Sequence, residues 1–158
     1  MTPERAEPAF RPARRAEAAR IGEIGRLAYA HYEDAIGVRP RPLDDDYDAR
    51  VRSGVVWVAD HSGGNAVAIG GFIILEPRED HLWIDNVAVD PARQGAGLGR
   101  ALLDFAERRA RDLGLTELRL LTSVKMERNI ALYRRRGYAD RHERFEQGRQ
   151  RLHMCKRI

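Results

Sequence analysis

Three glycines at alternate positions, Gly95, Gly97 and Gly99, separate an apolar strand end, Val87-Ala88-Val89, from an amphipathic stretch that runs to Gly114. A chain written this way must leave a strand, turn through Asp90-Pro91-Ala92-Arg93 and enter a helix almost at once. Glycines at the turn remove Cβ obstruction, so several backbone N–H groups can converge at the helix N-terminus. The free donors and the helix dipole there favour an anion. The helix is well specified. Leu102, Phe105, Ala106, Ala110 and Leu113 recur at three- and four-residue steps, which makes one stripe apolar. Asp104 with Arg108, and Glu107 with Arg111, stand four apart with the acid first, the better orientation for a helical ion pair. Gly114 follows the last apolar residue, as expected after a helix C-cap. The segment reads as a phosphate or pyrophosphate site.

Two common phosphate loops are excluded. A Walker loop needs Lys-Ser/Thr after its last glycine, and Gly99 is followed by Arg100-Ala101. A dinucleotide loop needs glycine three residues after Gly97, where Arg100 stands, and its glycines leave the strand without an intervening proline loop. What remains is Gln94-x-x-Gly97-x-Gly99, which resembles the acyl-CoA-binding motif of the GNAT superfamily of N-acetyltransferases. A second stretch, Asn129-Ile-Ala-Leu-Tyr133-Arg-Arg-Arg-Gly137-Tyr138, resembles that family's helix ending in Tyr-x-x-x-Gly-aromatic. The first motif position, often arginine in the family, is Gln94. The position seven residues before the tyrosine, often asparagine, is Met126, and an asparagine stands at Asn129 instead.

The resemblance implies a GNAT fold of the α/β class. Its mixed, mostly antiparallel sheet has two splayed central parallel strands and is flanked by helices. The strand ending at Val89 and a strand at 117–123 would run parallel and part. The pantetheine arm of acetyl-CoA would lie between them against Val87, Ala88 and Val89. The pyrophosphate would rest on Gln94, Gly95, Ala96, Gly97, Leu98, Gly99 and Arg100, with Asn129 touching the pantetheine or adenosine part.

Bulk properties fit a single soluble domain. The chain has 158 residues, 43% hydrophobic and 33% charged, which is ordinary for a globular protein. No apolar run reaches the ~18 residues of a membrane span. The polar N-terminus, Met-Thr-Pro-Glu-Arg-Ala-Glu-Pro, lacks a signal-peptide core. One cysteine, Cys155, excludes an internal disulfide and a cysteine-based metal cluster. The five histidines show no metal spacing. These features point to a cytoplasmic protein without a metal or membrane partner. The net charge is +4, and its arginine clusters are interleaved with acids. They read as solvated helix faces rather than a nucleic-acid surface.

Along the chain, residues 1–8 read as a loose tail and 9–13 as a short strand. A helical stripe covers 15–32, and a short helix begins near Asp44 and ends at Val51. Strands are expected at 55–60, 66–75, 81–89 and 117–123, with a hairpin loop at 61–65. A helix covers 126–136. A final hairpin, 141–147 with 150–157, turns at Gly148-Arg149.

Acyl transfer to an amine needs the neutral amine, about one part in a thousand of an alkyl ammonium at neutral pH. Asp85, which interrupts the apolar strand Leu-Trp-Ile-Asp-Asn-Val-Ala-Val, is the candidate base. The alternatives for it are a substrate-binding carboxylate or a strand-bulge residue. Tyr133 is the candidate acid, or hydrogen-bond donor, for the departing thiolate. Tyr29, Tyr32, Tyr47, Trp57, Trp83, Glu33 and Asp34 are available to an acceptor pocket, which would then be acidic and aromatic. The expected activity is direct transfer of acetyl from acetyl-CoA to a primary amine of a small molecule or peptide. The alternative is an acetyl-CoA-binding sensor of the same fold without catalysis. A homodimer is left open.

Overall fold

Apolar residues on both faces make Ile69–Pro77 a central strand, and its first seven residues are buried. Around it lies a seven-stranded sheet in the order β1-β2-β3-β4-β5-β7-β6. Its strands are β1 Ala9–Pro12, β2 Val56–Asp60, β3 Ile69–Pro77, β4 Leu82–Val89, β5 Glu117–Ser123, β6 Ala139–Glu146 and β7 Arg149–Arg157. The helices are α1 Ala18–Tyr29, α2 Tyr32–Ile36, α3 Tyr47–Arg52, α4 Leu98–Asp112 and α5 Glu127–Arg135. The computed structural model describes residues 7–61 and 68–158, apart from the side chains of residues 35 and 36. Most of the expected hairpin loop at 61–65, the start of the strand expected at 66–75 and most of the expected tail lie outside these residues.

Every described strand pairing is antiparallel except β4 with β5. Those two strands run parallel and pair only at Leu82–Leu118 and Trp83–Arg119, then part. β4 therefore keeps an open edge toward β5 from Ile84 onward, inside the sheet. One core cluster on one face of the sheet joins Ile73, Leu75, Leu82 and Ile84 to Leu102, Leu103, Ala106 and Ala110 of α4 and to Ile130 and Tyr133 of α5. On the other face, Phe72, Ile74 and Ala88 pack with Ile21 and Ile24 of α1 and Tyr47 of α3. Each fully buried leucine of α4 contributes roughly 1.5–3 kcal/mol, so that helix is held by its stripe rather than by its exposed ion pairs.

Gly71 of β3 lets α4 come down onto the sheet. A Cβ there would lie 2.7 Å from the backbone oxygen of Ala88 and 3.3 Å from Leu102. Any side chain would push β3 and β4 apart beneath the start of α4.

β4 carries a bulge. Ile74 pairs with Asn86 and Leu75 with Ile84, so Asp85 has no partner of its own on β3. Asp85 and Asn86 then project to one face of the sheet. Asp85 meets Arg41 and Arg50 there, and Asn86 meets Tyr29 and Tyr47. The simple alternation that would put Val87 beside Asp85 fails by one residue. Val87 and Val89 pack instead toward the α4 cluster.

Several local expectations shift. The stripe at 15–32 divides into a 3-10 turn at Arg15–Glu17, α1, and then α2. Glu17 can be buried because its carboxylate accepts from both terminal guanidinium nitrogens of Arg11 and from the Arg14 N–H. The helix expected from Asp44 starts at Tyr47, because Asp46 is the residue whose carboxylate accepts from Ala49 N–H at 3.0 Å. Asp44 instead closes a 3-10 turn at Arg41–Leu43. Asp104 pairs with Arg136 rather than with Arg108, whose guanidinium lies over Phe10 and Phe105. The last hairpin turns at Gln147-Gly148, with φ of 50° and 77°. Two positive φ values in succession suit a tight right-twisted hairpin.

Candidate active site

The parting of β4 and β5 opens a cleft of about 430 Å³. Its floor is Val87, Ala88 and Val89, and one wall is the loop and first turn of α4. Asp90 shapes the entry to that loop: its carboxylate accepts from Ala92 N–H and from Arg20, which anchors the strand exit to α1. Gly95 and Gly97 follow with φ of 86° and 84°, backbone that a side chain would strain. A Cβ at either would meet nothing within 4 Å, so the loop borders open space. The first hydrogen bond across the Gly97 cap runs from Ala101 N–H to Gly97 O at 3.0 Å. The N–H groups of Leu98, Gly99 and Arg100 precede it, at the positive end of a fifteen-residue helix. Such an arrangement can hold a diphosphate by backbone donors alone.

Of the residues expected at the donor molecule, Val87, Ala88, Val89, Gln94, Gly95, Gly97, Leu98, Gly99, Arg100 and Asn129 line this cleft. Ala96 does not. It points to a separate groove beside Phe10 and Arg93, because the left-handed glycines on either side of it reverse the chain. Beyond Tyr29 and Tyr32, expected at the acceptor pocket, the residues that sequence reasoning did not assign to the cleft are Ala28, Leu103 and Leu132. They are ordinary apolar positions of α1, α4 and α5, with no signal beyond their helical stripes.

Tyr133 and Asn129, one turn apart on α5, stand where the cleft meets a second, inner pocket of about 80 Å³. Tyr29 and Val87 also line both. Among the described residues the Tyr133 hydroxyl has no hydrogen-bond partner. Burial pushes its phenol up to about 12. The neighbouring Tyr29 hydroxyl is fully engaged: it donates at 2.8 Å to Asn86 Oδ1 and lies 3.1 Å from the Val87 carbonyl. Burial pushes the Tyr29 phenol up as well. Asn86, 4% exposed, ties β4 to α1 and α3 through Tyr29 and Tyr47. Its place in the strand gave no hint of this role, because the bulge that turns it inward leaves no mark in the sequence.

Asp85 lines the inner pocket and not the outer cleft. Its Oδ2 is 2.9 Å from Arg41 and 3.2 Å from Arg50, and its Oδ1 accepts from Trp83 Nε1 at 3.3 Å. Three of its roughly four acceptor positions are thus occupied. Of the residues expected at an acidic and aromatic acceptor pocket only Tyr29 lines it, and Tyr32 lines the outer cleft instead. Glu33 is exposed and paired with Arg39, and Asp34 is exposed. Trp57 packs against Phe105 and Arg109 on the α4 face. The charged groups that do line the pocket are Arg41, Arg149, Arg151 and Asp85.

A family model described as "Acetyltransferase (GNAT) family" matches residues 23–138, spanning the cleft, its loop and Tyr133. The chain belongs to the GNAT acetyltransferase family. An IAA acetyltransferase of Azospirillum brasilense is 31% identical over 96 residues. That match spans 61% of this chain and 62% of the relative, less than two thirds of its length. Among solved structures, a GCN5-related N-acetyltransferase from Rhodopseudomonas palustris aligns over 97% of both chains, with a TM-score of 0.78 and 22% identity. The PaiA N-acetyltransferase of Thermoplasma acidophilum, solved with coenzyme A, aligns over 95% of this chain and 98% of its own, with a TM-score of 0.76 and 16% identity. At these identities the structures establish the GNAT fold. No helix among the described residues is long and apolar enough to cross a membrane. No group of three or more His, Cys, Asp or Glu among them could hold a metal ion.

Proposed function

We propose that the protein is an acetyl-CoA-dependent N-acetyltransferase acting on a primary amine, within one domain. The observation that carries this reading is the continuous path from the glycine loop, along the open edge of β4, to the Tyr133 hydroxyl, without a hydrogen-bond partner among the described residues, and into the inner pocket. Acetyl-CoA is the donor substrate. Its diphosphate belongs on the amides from Gly95 to Arg100, and its pantetheine arm along Val87, Ala88 and Val89, near Asn129. The acceptor amine comes from the inner pocket. Its nitrogen, once neutral, attacks the thioester carbonyl. The C–N bond forms, the C–S bond breaks, the nitrogen gives up one proton to water, and the sulfur leaves as a thiolate that takes one up.

Tyr133 is placed to steady that thiolate. Full transfer of its proton to a thiolate of pKa ~8.5 would be uphill by roughly 5 kcal/mol. The hydroxyl therefore acts as a hydrogen-bond donor to the sulfur, and the thiolate is finally protonated from water. Asp85 is better suited to anchoring the acceptor than to removing its proton, because its oxygens are already shared among Arg41, Arg50 and Trp83.

Two measurements test this reading. Acetyl-CoA with a panel of primary amines should release free thiol in proportion to an amine. A panel that gives thiol only at the rate of hydrolysis would refute transfer. For Asp85, the Asn variant should raise the acceptor KM by about ten-fold, the loss of one charged hydrogen bond. The ratio of turnover to wild type should stay flat between pH 6 and 9. A base would give a different pattern. Its loss should cost about 10²–10⁴-fold at neutral pH and matter less as pH rises, because more amine then arrives neutral. Arg41 and Arg50 each keep another carboxylate, Asp45, in that variant, so the fold should survive.

A further inference from the structure

Arg151 is only 7% exposed, yet its one described partner is the neutral Gln147 side-chain oxygen at 3.0 Å. Arg149, two residues earlier on β7, donates at 3.1 Å to the Arg39 carbonyl, and its buried Nε has no partner. Among the described residues neither makes an ion pair, whereas Arg41, which lines the same pocket, pairs with both Asp85 and Asp45. Burial lowers both guanidinium groups from the usual arginine range. Arg149 adds to that lowering for Arg151, and Arg41 for both. A guanidinium as buried as Arg151 is costly to keep charged when the nearby carboxylates of Glu146 and Asp85 lie beyond ion-pair reach, and the half-buried Arg149 beside it adds to that cost. Both line the inner pocket, beside Arg41 and a single carboxylate, Asp85.

The donor substrate does not supply the missing anion. On the reading above, its phosphates sit at the glycine loop, at the far end of the cleft, and only an uncharged thioester reaches Tyr133. The anion must then arrive with the acceptor. The pocket offers about 80 Å³. That is room for a small planar anion rather than a bulky one. Guanidinium groups grip a carboxylate through paired N–H donors.

The geometry points to an acceptor that carries a carboxylate close to its amine, an α-amino acid or a near relative, with Arg149 and Arg151 holding the carboxylate and Asp85 its ammonium. The proposal rests on the acetyl-transfer reading of the cleft. It adds the substrate class, since one pocket lining brings cationic and anionic groups together, matched to a zwitterion.

The test compares the common α-amino acids, their carboxamides and the corresponding decarboxylated amines as acceptors, read by thiol release. For the side chain that fits best, the free acid should exceed its carboxamide by at least ten-fold in kcat/KM. In Arg149→Gln and Arg151→Gln that preference should fall toward one, with acetyl-CoA affinity retained as evidence of folding. Arg149 is the less buried of the two, so its variant decides the point if Arg151→Gln is unstable. Carboxamides accepted as well as acids would overturn the proposal and leave the N-acetyltransferase reading standing. If no amine is acetylated, that reading fails. Calorimetric binding of the N-acetyl amino acids against their amides, with CoA present, then decides the carboxylate preference by itself. Equal or absent binding of the two overturns it.

Discussion

Gly97→Glu should abolish the stabilisation that acetyl-CoA gives while leaving a folded protein. At a hundred times its Kd, a ligand that binds only the folded state adds about 2.7 kcal/mol. For a chain of this length that is roughly 5–10 °C in Tm. Gly97 has φ of 84° at the N-cap of α4, with open space beside it on the cleft side. A glutamate there places bulk and negative charge where the diphosphate is expected, and affinity should fall by at least about 100-fold, equivalent to ~2.7 kcal/mol. The left-handed backbone itself costs roughly 1–2 kcal/mol for a side chain. Gly114→Glu is the matched control. It has the same sense of backbone, φ 72°, and equally open surroundings, but sits at the other end of α4. Both variants should melt somewhat lower than wild type in a thermal-shift assay. Only Gly97→Glu should lose the response to acetyl-CoA. An unchanged response would remove the loop from the donor site.

Tyr133→Phe should lower kcat by about 10- to 100-fold, the worth of one hydrogen bond to a charged group. Acetyl-CoA affinity should stay near wild type, because the ring and its packing against Tyr138 remain. The hydroxyl stays protonated up to about 12, so its titration should not enter the pH–rate profile between pH 6 and 9. The variant should therefore run below wild type by a constant factor over that range. Pre-steady-state thiol release is the measurement of choice, because it isolates bond cleavage from product release. Equal rates in that phase would make Tyr133 a packing residue.

The two halves of the site differed in how much the sequence revealed. Gly95 and Gly97 declare themselves because a positive φ is encoded by the residue that adopts it. Leu102, Ala106 and Ala110 of α4 declare themselves through period. The inner pocket has neither property. Arg41, Asp85 and the pair Arg149 and Arg151 come from three distant points of the chain and converge only in the folded sheet, where β7 pairs with β5. In sequence, Arg149 and Arg151 look like any arginines of a solvated hairpin, and Glu33 and Asp34 look like better pocket residues. Burial separates them, and burial is set by tertiary packing. The Asp46 cap likewise sits among three consecutive aspartates, and only the hydrogen bond to Ala49 picks it out.

The bulge at Asp85 amounts to a change of reading frame within one strand. Upstream of it, odd-numbered residues of β4 look toward Arg41 and Arg50. Downstream, odd-numbered residues look toward α4. On the proposed reading one strand thus serves two clients, the acceptor on one side and the donor on the other, with one residue marking the handover. Removing that residue would put the segment back into a single frame. Ile84 and Asn86 would then follow one another opposite Leu75 and Ile74, each on the face it now occupies, so Val87 and Val89 would keep their place toward α4 and only the carboxylate of Asp85 would be lost from the inner pocket.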